Sequence, residues 1–211
     1  MSKPVSQSVL AAVRRASRRL AAGRVPAHLR AAMQVDGMIS VEEAELLFRL
    51  ASRLSGTGCI VEIGSFRGRS TLALAQGAGS CPVFAIDPHE HFAGALGGRF
   101  GPQDRAAFFR AMLRSGAYER VRLVNLPSQT VAPGWREPVK LLWLDGDHSY
   151  DGVRSDWRAW RPHLAARALV AVDDSTDRRL GPHRLVAELL SEQEFRLLER
   201  VGKVTALQRL R

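Results

Sequence analysis

The stretch that most constrains this chain is Cys59-Ile60-Val61-Glu62-Ile63-Gly64-Ser65-Phe66-Arg67-Gly68-Arg69-Ser70-Thr71. An apolar, β-branched run ends in an acid, meets Gly64 and Gly68, and passes into the helix-forming Leu72-Ala73-Leu74-Ala75. Strand, glycine turn and helix in that order set backbone N–H groups and a positive helix end beside a ligand. Gly64 allows the turn without a Cβ clash, and Gly68 lets a ligand or the helix come close. Glu62 can accept hydrogen bonds from an ammonium or from hydroxyls. The spacing is E-x-G-x-x-x-G, whereas G-x-G-x-x-G turns face a pyrophosphate. An acid here would repel a pyrophosphate but suits a cationic amino-acid ligand.

Three later apolar runs also end in acids. Pro82–Ile86 runs into Asp87, Leu141–Leu144 into Asp145-Gly146-Asp147-His148, and Leu169–Val172 into Asp173-Asp174. Such runs read as buried parallel strands, whose carboxyl ends are where ligands bind. Asp87 can take two neighbouring hydroxyls at once. If the last two strands are neighbours, their ends lie about 5 Å apart. Two carboxylates there repel by roughly 3 kcal/mol at an effective dielectric of about 20. Either protons are retained or a hard divalent cation sits among them, and oxygen-only ligands favour Mg²⁺. His148, with an ordinary pKa of about 6.5, can accept a proton near neutrality or can orient Asp145 or Asp174. Val121–Asn125 alternates as a strand before Ser128-Gln129, which can read an adenine edge or, through Ser128, cap a helix.

The E-x-G-x-x-x-G turn resembles motif I of the class I S-adenosylmethionine-dependent methyltransferases. The phrase D-G-D-H-S-Y-x-G-V, with Asp156-Trp157 beyond it, resembles small-molecule O-methyltransferases of the macrolide-sugar and catechol kind. The resemblance implies an α/β doubly wound, Rossmann-like seven-stranded sheet with helices on both faces and an antiparallel C-terminal edge. It implies a donor, S-adenosylmethionine, held by Glu62, Gly64, Ser65, Gly68, Ser70, Asp87, Ser128 and Gln129. By the same likeness Asp145, Asp173 and Asp174 hold Mg²⁺ or a similar cation, and His148 removes a proton from a small-molecule hydroxyl. Asp174 stands where catechol enzymes carry Asn, and Arg167-Ala168 replaces a usual Gly-Gly, so that turn is expected to be less tight. Rival readings are a metal-independent enzyme with His148 alone as base, a nucleic-acid methyltransferase, and a non-catalytic adenosyl-binding protein. The nucleic-acid reading lacks the N/D-P-P-Y-type motif at the fourth strand.

With 211 residues, 45% of them hydrophobic, the chain can bury one sizeable core. No apolar run reaches the roughly 18 residues of a membrane span. Val9–Val13 is too short for a secretion signal, so a cytoplasmic protein is expected. Cys59 and Cys81 read as buried free thiols of a reducing compartment. The net charge of +10 is uneven: residues 1–35 carry seven cations and no acid. Nucleic acid is therefore not an expected partner of the remainder. The expected division is a basic helical extension over 1–35 and a ligand-binding domain over 36–211. In the extension Val9, Val13, Ala16 and Leu20 recur at helical spacing, with arginines opposite. That face suits packing on the domain or on a second subunit, an anionic surface, or a transit peptide.

Ser40 and Glu43 form a capping box before a Leu-rich helix. Residues 89–104 read as a long loop, with His89 and His91 solvated and given no role. A helix is expected over 106–115, and Trp157, Trp160 and Leu164 as packing residues of one helix face. A last helix over 185–191 precedes two short strands.

Overall fold

The computed structural model describes residues 25–94 and 97–211. The helical periodicity expected at Val9–Leu20 lies outside the described residues. Ordered from one edge to the other, the main sheet is β5 (Val121–Val124), β2 (Val83–Ile86), β1 (Cys59–Ile63), β6 (Val139–Leu144), β7 (Leu164–Val172), β9 (Val204–Arg209) and β8 (Phe195–Val201). The first five are parallel, while β9 runs antiparallel to both β7 and β8. The antiparallel edge is as expected. A two-stranded hairpin, β3 (Phe92–Ala93) with β4 (Arg99–Phe100), stands apart.

Alternation along the buried strands splits the core in two. Leu29 and Ala32, beside and within the short α1 (Arg30–Met33), are fully buried in the first cluster. Ile60, Leu141, Trp143, Leu169 and Ala171 face that same cluster, with α2 (Val41–Ser52) and α3 (Arg69–Gly77). Val61, Leu142, Leu144, Val170 and Val172 face the other, with α6 (Tyr150–Trp160) and α7 (Gly181–Ser191). Burying a leucine such as Leu46 or Leu50 of α2 contributes about 2 kcal/mol. The Ser40–Glu43 capping box forms as expected. Because Leu29 and Ala32 belong to the core, the packed unit reaches back past the boundary expected at residue 36.

Several elements differ from expectation, among them α7, which starts at Gly181, and the hairpin within the stretch expected to be loop. Helix α4 (Pro102–Ser115) starts four residues early, with Pro102 in its first turn and the Asp104 carboxylate accepting from the Gly101 N–H at 2.9 Å. Leu164 is not on a helix: α6 ends at Trp160, a 3₁₀ turn containing Pro162 follows, and Leu164 opens β7. Within β7, Arg167 takes the left-handed conformation (φ 59°) that a glycine would take freely. After β5, a single helical turn, α5 (Ser128–Val131), begins at the Ser-Gln pair. Cys59 and Cys81 are free and buried. Among the described residues no helix is long and apolar enough to cross a membrane.

Candidate active site

The strand order reverses between β1 and β6, and a crevice opens at the carboxyl ends of such strands. The two ends are stitched together by the Asp145 N–H, which donates to the Ile63 carbonyl at 2.9 Å. Gly64 lies against β6 so closely that a Cβ would fall 2.1 Å from the Asp145 carbonyl oxygen, and its φ is 84°. A cavity of about 470 Å³ lies here, and Gly64, Ser65, Ser70, Asp87, Ser128, Gln129, Asp145, His148, Asp173 and Asp174 all border it. Ten of the twelve expected site residues are thereby brought together.

Glu62 and Gly68, expected to contact a ligand, are not among the cavity's borders. Glu62 is fully buried and accepts hydrogen bonds from the hydroxyls of Ser70 and Thr71, fastening β1 to the first turn of α3. Burial pushes its pKa up to about 8, against the lowering effect of the two hydroxyls. The alternation of β1 explains the inward turn: Glu62 pairs with Trp143 across the sheet and projects to the α3 side. Gly68 (φ 94°) caps α3, and a Cβ there would meet Met112 at 2.7 Å. It serves helix packing.

Asp87 organises the glycine turn. Its Oδ2 accepts from the N–H groups of Ser65 and Phe66, both at 2.9 Å, and its Oδ1 accepts from that of His89 at 2.8 Å. His89, expected to be solvated, is buried, with Nε2 2.7 Å from the Phe66 carbonyl. Phe66 (φ 47°), His89 (φ 50°) and Asp174 (φ 47°) all border the cavity in left-handed backbone. Such strain gathers where the surroundings over-determine a site. The Ser65 hydroxyl is buried and has no partner.

Ser128 and Gln129, which open α5, both donate to Oδ1 of Asp156, the Gln129 bond being 2.6 Å. Asp156, the acid of the Asp-Trp pair, has no role assigned by sequence reasoning. It is buried, and that burial raises its pKa to about 6. It shares the buried face of α6 with Val153, Trp157 and Trp160, and an acid at that helical spacing among apolar residues is the signal in the sequence.

At the far corner His148 sits between two acids, Nδ1 3.0 Å from Asp174 Oδ2 and Nε2 3.4 Å from Asp145 Oδ1. Burial alone would push the imidazole pKa down, but pairing with Asp145 and Asp174 outweighs it and holds the ring up to about 10. The two carboxylates thus favour the protonated ring, whereas the base role expected of His148 needs it neutral. Asp173 is pushed up by burial and by the charge of Asp145. The ammonium of Lys203, a residue with no signal in the sequence, contacts Asp173 Oδ2 and lies 3.4 Å from Asp174 Oδ1. Two buried atoms in this corner lack partners, His148 Nε2 and Asp173 Oδ1.

The expected cation set of Asp145, Asp173 and Asp174 is not what groups together. Asp145, His148 and Asp173 each bring one ligand-type atom within 4.8 Å of the others. Asp174 is instead turned to His148 and Lys203.

Residues 61–175 match the family described as "Methyltransferase domain", which is more than half of the chain. Among solved structures, a methyltransferase from Geobacter sulfurreducens superimposes with a TM-score of 0.63 at 20% identity, covering 99% of this chain and 92% of that one. The S-adenosylhomocysteine-bound methyltransferase PaMTH1 of Podospora anserina gives 0.63 at 17%, covering 99% and 98%. The O-methyltransferase TomG of Streptomyces achromogenes, involved in tomaymycin synthesis and solved with S-adenosylmethionine, gives 0.64 at 18%, covering 87% and 90%. At these identities the likeness establishes the fold, and the family match establishes the kinship. The chain belongs to the methyltransferase-domain family, built on the sheet of the class I S-adenosylmethionine-dependent methyltransferases.

Proposed function

We propose that this enzyme transfers a methyl group from S-adenosylmethionine to a hydroxyl of a small molecule bound in the cavity. One observation carries the choice of a hydroxyl. His148 Nε2 and Asp173 Oδ1 are buried, belong to one group of residues and make no hydrogen bond within the chain, Nε2 having only its 3.4 Å ion-pair contact with Asp145 Oδ1. With His148 protonated, the first donates and the second accepts. An alcohol oxygen satisfies both at once, and a buried polar atom left unmatched costs about 1–3 kcal/mol. An amine beside these acids would keep its proton and offer no lone pair.

The donor lies across the crevice between β1 and β6. The Gly64 turn, the unpartnered Ser65 hydroxyl and Asp87 meet its amino-acid and ribose portions, while Ser128 and Gln129, braced by Asp156, meet the adenine. Glu62 supports this cradle from beneath. The acceptor oxygen receives the His148 N–H and donates its proton toward Asp173, whose proton affinity burial and the charge of Asp145 raise. As the oxygen–carbon bond forms, the carbon–sulfur bond breaks and its electron pair stays on sulfur. Holding nucleophile and sulfonium in line supplies several kcal/mol, up to about 7–11 in ideal cases.

The expected Mg²⁺ fits these residues poorly. Both oxygens of Asp174 are engaged, Asp173 carries an ammonium, and a metal on His148 requires a neutral ring that two carboxylates disfavour. PaMTH1 and TomG were solved with adenosyl ligands, which supports the donor. Calorimetry with S-adenosylhomocysteine, then methyl-labelled donor with a panel of phenols and alcohols, tests the reading. Absence of adenosyl binding, or label entering RNA instead, refutes it.

A further inference from the structure

We propose that Lys203 is the resident cation of the acceptor corner, holding carboxylate oxygens of Asp173 and Asp174 that the expected divalent metal would need. This rests on reading that corner as the acceptor site. The placement follows from strand register. Strands β7 and β9 pair antiparallel with Val172 opposite Thr205, so two residues further on Asp174 stands opposite Lys203. Lys203 falls in the tight turn between β8 and β9, after Gly202 (φ 56°).

That turn is held on both sides. The Lys203 N–H donates to Glu43 Oε1 at 2.9 Å, and Glu43 is itself buried, its other oxygen accepting from the Ser40 N–H at 2.7 Å. A Cβ at Gly202 would lie 2.3 Å from Glu43 Oε1, so the carboxylate is packed against the turn. The Lys203 carbonyl accepts from the Ser175 N–H at 3.0 Å and from its hydroxyl at 3.1 Å. Ser175 Oγ in turn bonds Thr205 at 2.8 Å. With its backbone fixed this way, the stem delivers the ammonium onto Asp173 and Asp174, and Lys203 borders the cavity.

The residue type agrees. The chain has only three lysines among 31 cations, yet this position holds one. A compact ammonium with three donors can serve two carboxylates at once. A divalent ion cannot share those oxygens with it, because the two like charges would sit in contact. The expected consequence is an enzyme whose acceptor corner is organised without a metal.

The test uses full-length protein after dialysis against EDTA. Electron paramagnetic resonance counts bound Mn²⁺ in the wild type, Lys203→Met and Lys203→Arg, and S-adenosylhomocysteine calorimetry confirms that each variant is folded. The expected result is no saturable Mn²⁺ binding in the wild type or Lys203→Arg, and at least a tenfold gain in Lys203→Met, which keeps the stem but frees the acids. Glu43→Gln, which weakens the hold on the turn, is expected to show a smaller gain. Stoichiometric Mn²⁺ binding by the wild type, or equal binding with and without Lys203, overturns the proposal. The Mn²⁺ count does not depend on the acceptor, so failure of the hydroxyl reading would be seen separately in the labelled-donor panel.

Discussion

Replacing Glu62 with Gln isolates the buried carboxyl beneath the donor cradle. Its pKa rises from an ordinary 4.5 to about 8 because it is wholly buried. Between those values the folded protein holds one proton more than the unfolded chain, so stability falls as pH rises. At about 1.4 kcal/mol per pH unit, the full window from 4.5 to about 8 amounts to a ceiling of about 5 kcal/mol. About 3 kcal/mol of that is lost between pH 4.5 and pH 7. The amide introduced by Glu62→Gln cannot ionise. It does weaken one of the two hydrogen bonds from Ser70 and Thr71, at about 1 kcal/mol. Urea unfolding of both proteins at half-unit steps from pH 4.5 to 8.5 reads the difference. Glu62→Gln is expected to be the less stable protein at pH 4.5 and to gain on the wild type steadily, overtaking it before pH 7. Parallel stability curves would refute the reasoning, since the carboxyl would then be titrating as freely in the fold as out of it.

Other outcomes follow from the same geometry. Gly64→Ala, whose Cβ would fall 2.1 Å from the Asp145 carbonyl in left-handed backbone, should push β1 and β6 apart. It should lower S-adenosylhomocysteine affinity by roughly tenfold or more in calorimetry, a loss of about 1.4 kcal/mol. Asp156→Asn, which weakens the brace on Ser128 and Gln129, should cost about 1–2 kcal/mol of adenosyl binding while leaving acceptor KM nearly unchanged. The rate should follow a bell in pH, lost at low pH as Asp173 takes up a proton and at high pH as His148 loses its own near 10. A neutral His148 base would instead show its rising limb near an ordinary pKa of about 6.5 and no alkaline fall. In His148→Ala that alkaline limb should disappear.

The acid-ended core strands, the glycine turn and the gathering of acids at strand ends were legible because each is a local pattern. Apolar runs ending in Glu62, Asp87, Asp145 and Asp173 declare buried parallel strands without any knowledge of their neighbours. The helix start at Pro102 and the strand start at Leu164 were less legible, because a proline signals a break without saying which element follows. His89 looked like a loop residue in water, and only the fold of the loop onto Phe66 buries it.

The chain by itself pointed to most of the side chains at the site; the packed structure added Asp156 and Lys203 and decided what each one touches. Glu62 faces α3 and not the ligand because the pleat of β1 sets its side. His148 becomes a held cation because two carboxylates from different strands close on it. Lys203, thirty residues from Asp173, reads in sequence only as the first residue of the last short strand, with no role. It becomes part of the site only through the antiparallel return of β9 along β7, a pairing that depends on long-range hydrogen bonding and burial and so leaves no local mark.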